Sequence, residues 1–170
     1  MVDGAVEPGY RRAVAMLSVG QVVCWAALYF AFSSFVLPMQ ESLGWSKPTL
    51  RGAFTLGLTV WGLSAFPVGA AIDRGHGRLV LAGGAALGGV GMLLWSAVTE
   101  PWMLFGVWVV LGVAMAMTLY EPAFAVLTRR YPTRYRDGIT TLTLVGGFAT
   151  TLSFPACLWL VESLGWRGAL

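Results

Sequence analysis

Two uncharged apolar segments, residues 52–72 and 79–99, restrict the folds open to this chain more than any other feature. At about 1.5 Å of rise per residue, either segment could cross a hydrocarbon core about 30 Å thick as a helix. The stretch between them, from Asp73 to Leu79, is short, polar and rich in glycine. So short a connection predicts two helices that are antiparallel neighbours.

Composition supports a membrane protein over a soluble one. Hydrophobic residues make up 57% of the chain and charged residues 11%, whereas soluble domains have about 25% charged residues. We therefore predict an all-α, polytopic transmembrane helix bundle. The net charge of +3 comes from basic residues between the apolar segments, so we expect no nucleic-acid partner.

Charged and proline-containing turns divide the rest of the chain. Residues 1–12 are predicted to be a disordered cytoplasmic leader. The apolar run that follows is too long for the core of a cleavable signal peptide, so a retained first span is favoured. We predict a five-span bundle over 13–165, and 166–170 as the truncated start of a sixth span. The predicted spans are 13–37, 52–72, 79–99, 102–128 and 138–161.

Basic residues are distributed unequally between alternate turns. With the N-terminus inside, the inner turns carry eight of them, namely Arg11, Arg12, Arg74, Arg78, Arg129, Arg130, Arg134 and Arg136. The outer turns carry three, namely Lys47, Arg51 and Arg167. This bias follows the positive-inside rule. It predicts a multi-pass protein of the cell inner membrane with a cytoplasmic N-terminus.

Local signals mark several helix ends. Ser46 followed by Pro48 is typical of a helix start. The pentapeptide at 41–45 recurs at 162–166. Duplication is one interpretation, but we favour a boundary signal, in which glycine ends the helix and tryptophan lies at the headgroup level.

Small residues at helical spacing predict close packing between spans, because small side chains let helix backbones approach in lipid. The sets are Gly84, Gly88 and Gly91, then Gly112 with Ala116, then Gly147 with Thr151. Prolines are expected to interrupt three spans, at Pro67, Pro122 and Pro155.

Catalytic and metal chemistry find little support. His76 is the only histidine, and it lies in the polar turn. No phosphate-binding loop of the Gly-x4-Gly-Lys-Ser/Thr kind is present. We therefore expect no enzyme, cofactor or metal site. The functions that remain open are passive transport, ion-coupled transport and a purely structural role.

Glu121 is the one acidic residue inside a predicted span. An acid in the bilayer is unfavourable and is therefore a functional candidate. Counted from the outer edge, Glu121 should lie near the cytoplasmic boundary, within reach of Arg74, Arg78 or Arg129. A gate or structural ion pair, proton or substrate coupling, and a solvated helix end all stay open.

The polar turn carries a recognisable pattern. Gly69-x3-Asp73-Arg74, followed by Gly77-Arg78, resembles the signature loop between the second and third spans of the major facilitator superfamily. One extra residue precedes Gly77, and Leu79 replaces the last basic residue of the family pattern. Residues 44–46, 119–124 and 164–167 are similar to bacterial members near the monocarboxylate and oxalate/formate branch.

The resemblance implies secondary active transport by alternating access, with a small organic anion as substrate and protons or an exchanged anion as coupling partner. The first and fourth spans would line the substrate cavity with Trp25, Tyr29, Met115 and Thr118. The signature loop (Gly69, Asp73, Arg74, Gly77 and Arg78) would form a cytoplasmic gate. A C-terminal half would supply the other wall of the cavity.

Two other hypotheses come from different classes. The chain could be a small membrane scaffold, or a truncated remnant, that acts only by helix packing. A pore of several copies is disfavoured because no predicted span has a polar stripe.

Overall fold

The computed structural model describes residues 9–170, so most of the predicted leader lies outside the described part. That part is helical almost throughout and contains no strand. The α-helices are α1 (Tyr10–Cys24), α2 (Ala31–Leu43), α3 (Lys47–Ala71), α4 (Gly77–Ser96), α5 (Pro101–Thr118), α6 (Tyr120–Arg130) and α7 (Tyr135–Gly168). Two π-helical segments, Trp25–Phe30 and Ile72–His76, connect α1 to α2 and α3 to α4.

Four continuous helical stretches in residues 9–170 are long and apolar enough to cross a membrane: Tyr10–Leu43, Lys47–Ser96, Pro101–Arg130 and Tyr135–Gly168. The second stretch is broken at Gly75, whose φ of 95° lies in the left-handed region. It therefore supplies two spans, α3 and α4. The predicted polytopic helical bundle is confirmed. The five predicted spans correspond to α1–α2, α3, α4, α5–α6 and α7, and are numbered in that order below.

Helix α5 separates α3 from α4. Along α3, Gly52 faces Phe105 and Gly57 faces Trp108, so α3 runs parallel to α5. Along α4, Gly88 faces Ala114 and the later Gly91 faces Leu111, so α4 runs antiparallel to α5. The antiparallel arrangement of α3 and α4 agrees with the sequence. Their expected direct packing is wrong, because the glycines draw both helices onto α5.

Two of the three small-residue sets form helix interfaces. A Cβ atom at Gly91 would lie 2.5 Å from Leu111, and one at Gly112 would overlap the carbonyl of Gly57. The set Gly147 and Thr151 is exposed instead.

Helix α7 is buried along a neighbouring face, at Leu142, Gly146, Ala149 and Ser153. Small residues occur on both faces of this helix, so the spacing of small residues alone did not identify the face that packs against other helices.

Proline positions proved a poor guide to helix ends. The first span was expected to end at residue 37, but α2 continues through Pro38 to Leu43. Pro67 and Pro155 likewise lie inside α3 and α7 without ending them. A proline removes one backbone donor, and a helix packed in a bundle tolerates that loss. Among the prolines inside the described helical stretches, only Pro122 lies next to a break, between α5 and α6.

The sequence signals for helix starts and ends agree with the structure better than the proline positions do. The Ser46 hydroxyl accepts a hydrogen bond from the Thr49 backbone N–H at 3.3 Å, which caps α3. Gly44 ends α2 with a φ of 69°, and Gly165 interrupts α7 with a φ of 70°. The two pentapeptides meet, because Trp166 Nε1 donates to the Ser42 hydroxyl at 2.7 Å. Trp166 is only 7% exposed, so it packs into the bundle end rather than lying at a free surface.

The turns collect at two ends of the bundle. At one end, the Tyr10 hydroxyl donates to the carbonyl of Arg134 at 3.1 Å, and Arg129 donates to the carbonyl of Ile72 at 3.3 Å. At the opposite end, Arg167 donates to the carbonyls of Ser96 and Val98. The eight residues of the predicted inner turns share the first end, here named the arginine-rich end.

Candidate substrate site and gate

Four aromatic side chains from three spans form one cluster. The Trp25 ring lies 5.3 Å from Tyr29, 6.0 Å from Trp61 and 5.0 Å from Tyr120, measured between ring centroids. All four rings are partly exposed. This aromatic cluster (Trp25, Tyr29, Trp61 and Tyr120) therefore joins the first, second and fourth spans while leaving ring surface accessible.

The backbone that carries Trp25 and Tyr29 is unusual. Both residues lie in the π-helical segment Trp25–Phe30. Short π-helical segments inside α-helices are rare and occur frequently at functional sites. The Nε1–H of Trp25 is buried and has no hydrogen-bond partner in the described chain. A buried donor without a partner is unfavourable, so this N–H is available to a ligand or a water.

Met115 and Thr118, the other two predicted cavity residues, lie inside the bundle. They are 0% and 3% exposed. The Thr118 hydroxyl donates to the carbonyl of Ala114 at 2.7 Å, and its methyl group packs against Gly84. The structure does not bring Met115 or Thr118 to the accessible face of the aromatic cluster, and their role in a cavity stays a prediction.

The break in the fourth span is held by a side chain from the first. Leu119 separates α5 from α6 with a ψ of −163°. The Gln21 side-chain amide donates to the carbonyl of Thr118 at 2.8 Å and to that of Leu119 at 3.4 Å. Carbonyls freed by a broken helix need such partners in a bilayer. The break is thus a defined structural feature, stabilised across 97 sequence positions.

Sequence reasoning missed Gln21, Trp61 and Tyr120. Gln21 was detectable as the one amide side chain inside the predicted first span, residues 13–37. Tyr120 precedes the single intramembrane acid, and Trp61 is the only tryptophan of residues 52–72. None of these signals indicates which distant residue each would contact.

The predicted gate residues lie together at the arginine-rich end. Asp73, Arg74 and Arg78 are exposed, whereas Gly77 is buried. A Cβ atom at Gly77 would lie 2.5 Å from the Val126 side chain, so α4 begins in close contact with α6.

Gly69 lies one turn before Asp73 on α3 and is partly buried. Arg129, from α6, donates to the backbone carbonyl of Asp73 and leaves the carboxylate of Asp73 unpaired within residues 9–170. The carboxylate is therefore available to a partner outside this part of the chain.

Glu121 lies near the start of α6, about 13 Å of helical rise before Arg130. Its side chain is exposed and forms no ion pair with any described residue, so the expected pairing with Arg74, Arg78 or Arg129 is not seen. Its sequence neighbour Tyr120 belongs to the aromatic cluster.

Comparison with known proteins gives one family and two relatives. The family model described as Major Facilitator Superfamily matches residues 17–170. The chain is 30% identical over 115 residues to "Probable anion transporter 4, chloroplastic" of Arabidopsis thaliana. This alignment covers 64% of this chain and 20% of that protein.

The chain is also 27% identical over 139 residues to "Probable anion transporter 3, chloroplastic" of Oryza sativa subsp. japonica. This alignment covers 79% of this chain and 26% of that protein. The chain therefore spans between a fifth and about a quarter of the length of these curated relatives. No solved structure gives a significant match.

Proposed function

The chain belongs to the Major Facilitator Superfamily, and we propose that it forms the N-terminal part of a secondary active transporter for a small organic anion. The family match over 17–170 is the observation that carries this proposal. The names of both relatives, which call them probable anion transporters, support an anion as substrate.

Alternating access is the proposed mechanism. The aromatic cluster forms part of a substrate site that a C-terminal half completes, and Asp73, Arg74 and Arg78 form a gate at the cytoplasmic side. Aromatic faces offer apolar contact to the carbon skeleton of an organic anion, and the Trp25 N–H offers a hydrogen bond to its carboxylate. Glu121 is the candidate for proton coupling, and an exchanged anion is the alternative coupling partner.

The cell inner membrane and a cytoplasmic N-terminus are part of the same proposal. They are supported by the collection of eight arginines at one end of the bundle. No enzymatic activity is expected.

A scaffold that oligomerises through its glycine faces is less well supported. Gly84, Gly88, Gly91 and Gly112 all pack against helices of the same chain. They are therefore not available for a second copy, which leaves only the exposed set Gly147 and Thr151 among the small-residue sets for such a contact.

Uptake by the full-length protein in proteoliposomes tests the proposed function. A panel of organic acids, amino acids and sugars is offered with and without a proton gradient. Saturable uptake of an organic acid that other organic acids inhibit supports the proposal. Uptake restricted to sugars or amino acids would contradict the substrate class, and no uptake of any compound would contradict transport.

A further inference from the structure

A basic pocket of about 340 Å³ lies at the arginine-rich end, between the start of α4 and the end of α6. Its lining includes Arg78, Arg129, Arg130, Gly75, Gly77 and Val126. Three guanidinium groups and no carboxylate line this pocket, here named the arginine pocket. Such an excess of positive charge in one small cavity favours an anionic occupant.

The three arginines of the pocket differ in how many hydrogen-bond partners they have in the protein. Arg129 donates to the backbone carbonyls of Ile72 and Asp73, which fixes it at the pocket wall. Arg78 and Arg130 are exposed and form no ion pair within residues 9–170. Their fork-shaped donors are therefore free to bind a phosphate with paired hydrogen bonds.

The backbone adds to the same charge. The 20-residue helix α4 begins at Gly77, just after the break at Gly75, so the positive end of its dipole lies at the arginine pocket. The close contact of Gly77 with Val126 holds this helix start beside the end of α6. Phosphate groups bind readily at such helix starts.

The surroundings of the arginine pocket indicate where the phosphate comes from. Leu79 follows Arg78 and is 70% exposed, as is usual for a side chain that faces lipid. The pocket thus opens beside an apolar helix surface at the end of two spans. Basic pockets between transmembrane helices at this level suit lipid headgroups. We propose that the arginine pocket binds the phosphate of an anionic phospholipid headgroup.

Lipid retention by the purified protein tests this proposal independently of transport. The protein is equilibrated with equal amounts of phosphatidylglycerol and phosphatidylcholine in a neutral detergent, and the bound lipid is counted by native mass spectrometry. Arg78→Gln with Arg130→Gln is compared with Arg11→Gln with Arg12→Gln. Both double variants remove two charges from the arginine-rich end, but only the first changes the pocket.

At about 1 kcal/mol per arginine, we expect the pocket variant to lose phosphatidylglycerol retention by about tenfold or more. The control variant should lose less than about threefold, because distant exposed charges are screened by salt. Each single variant, Arg78→Gln or Arg130→Gln, should lose about fivefold, which keeps the test valid if the double variant does not fold.

Three results would overturn the proposal. Equal loss in the pocket and control variants would mean a general attraction of the basic end for anionic lipid. Displacement of phosphatidylglycerol by inorganic phosphate at millimolar concentration would assign the pocket to a free anion. No preference for phosphatidylglycerol over phosphatidylcholine in the wild type would remove the site altogether.

Discussion

Gln21 shows how one side chain stabilises an irregular backbone inside a membrane bundle. Its amide bonds two carbonyls at the break between α5 and α6, where Pro122 prevents a regular helical hydrogen bond. The break allows Tyr120 to reach Trp25 in the first span. A residue with no expected role therefore supports the geometry of the aromatic cluster.

Replacement of Gln21 by leucine should destabilise the protein by about 1–2 kcal/mol, because the Thr118 carbonyl loses its side-chain donor in a buried site. The unfolding temperature in detergent measures this loss. Gln40→Leu is the matched control, since Gln40 is the only other glutamine and its Oε1 has no hydrogen-bond partner among the described residues. Equal unfolding temperatures for the two variants would show that the Gln21 hydrogen bonds do not support the break.

At the scale of helices, glycine positions decide which faces pack. Gly84 and Gly89 lie on the same helix α4, but only Gly84 contacts α5. A Cβ atom at Gly84 would overlap Met117 and lie 2.7 Å from Thr118, whereas one at Gly89 has nothing within 4 Å. The contrast gives a direct test of the α4–α5 interface.

Gly84→Ala should lower the unfolding temperature, because the added methyl group forces α4 away from α5. The cost should be about 1–3 kcal/mol. Gly89→Ala should be neutral or slightly stabilising, since alanine favours the helix by up to about 1 kcal/mol over glycine. An equal loss of stability in both variants would argue that α4 does not pack on α5 through Gly84.

The hinge between α3 and α4 provides a second test at this scale. If Asp73 forms a gate contact, Asp73→Asn in the full-length protein should keep normal abundance, because the side chain is exposed. Uptake should fall strongly, since losing about 1.4 kcal/mol from one conformer shifts the conformational equilibrium about tenfold.

Abundance and uptake are measured together, with Asp137→Asn as a control acid at the same end of the bundle. Asp137 forms its own ion pair with Arg134 at 3.8 Å and lies outside the signature loop. Wild-type uptake in the Asp73 variant would mean that the hinge only sets topology.

At the scale of helices, the sequence predicted features that depend on neighbouring residues in the chain, but not those that depend on other helices. The Ser46 cap and the Gly44 helix end are local, so residue type and spacing were sufficient. The exposed face of Gly147 and the passage of α2 through Pro38 depend on neighbouring helices, which the local sequence does not specify. The hydrogen bond between Gln21 and Thr118 joins residues 97 positions apart, and neither local sequence indicates the other as its partner.

For the whole molecule, uniform hydrophobicity limited what could be predicted. Composition and span length were sufficient for the helical membrane bundle, because the bilayer allows few other structures. Of the four predicted cavity residues, Trp25 and Tyr29 are partly exposed and Met115 and Thr118 are buried, and the role of all four stays a prediction. In a span that is apolar on every side, a hydrophobic residue carries no signal of which face it occupies.

The proposed alternating access requires the aromatic cluster to face a path that opens to each side of the membrane in turn. The most direct measurement is the reaction of a membrane-impermeant thiol reagent with Trp61→Cys in the full-length protein from which every native cysteine, Cys24 and Cys157 included, has been removed. We predict modification from both sides, with the ratio of the two rates shifting up to about tenfold when Asp73→Asn is added. Modification from one side only, or a ratio that Asp73→Asn leaves unchanged, would contradict alternating access.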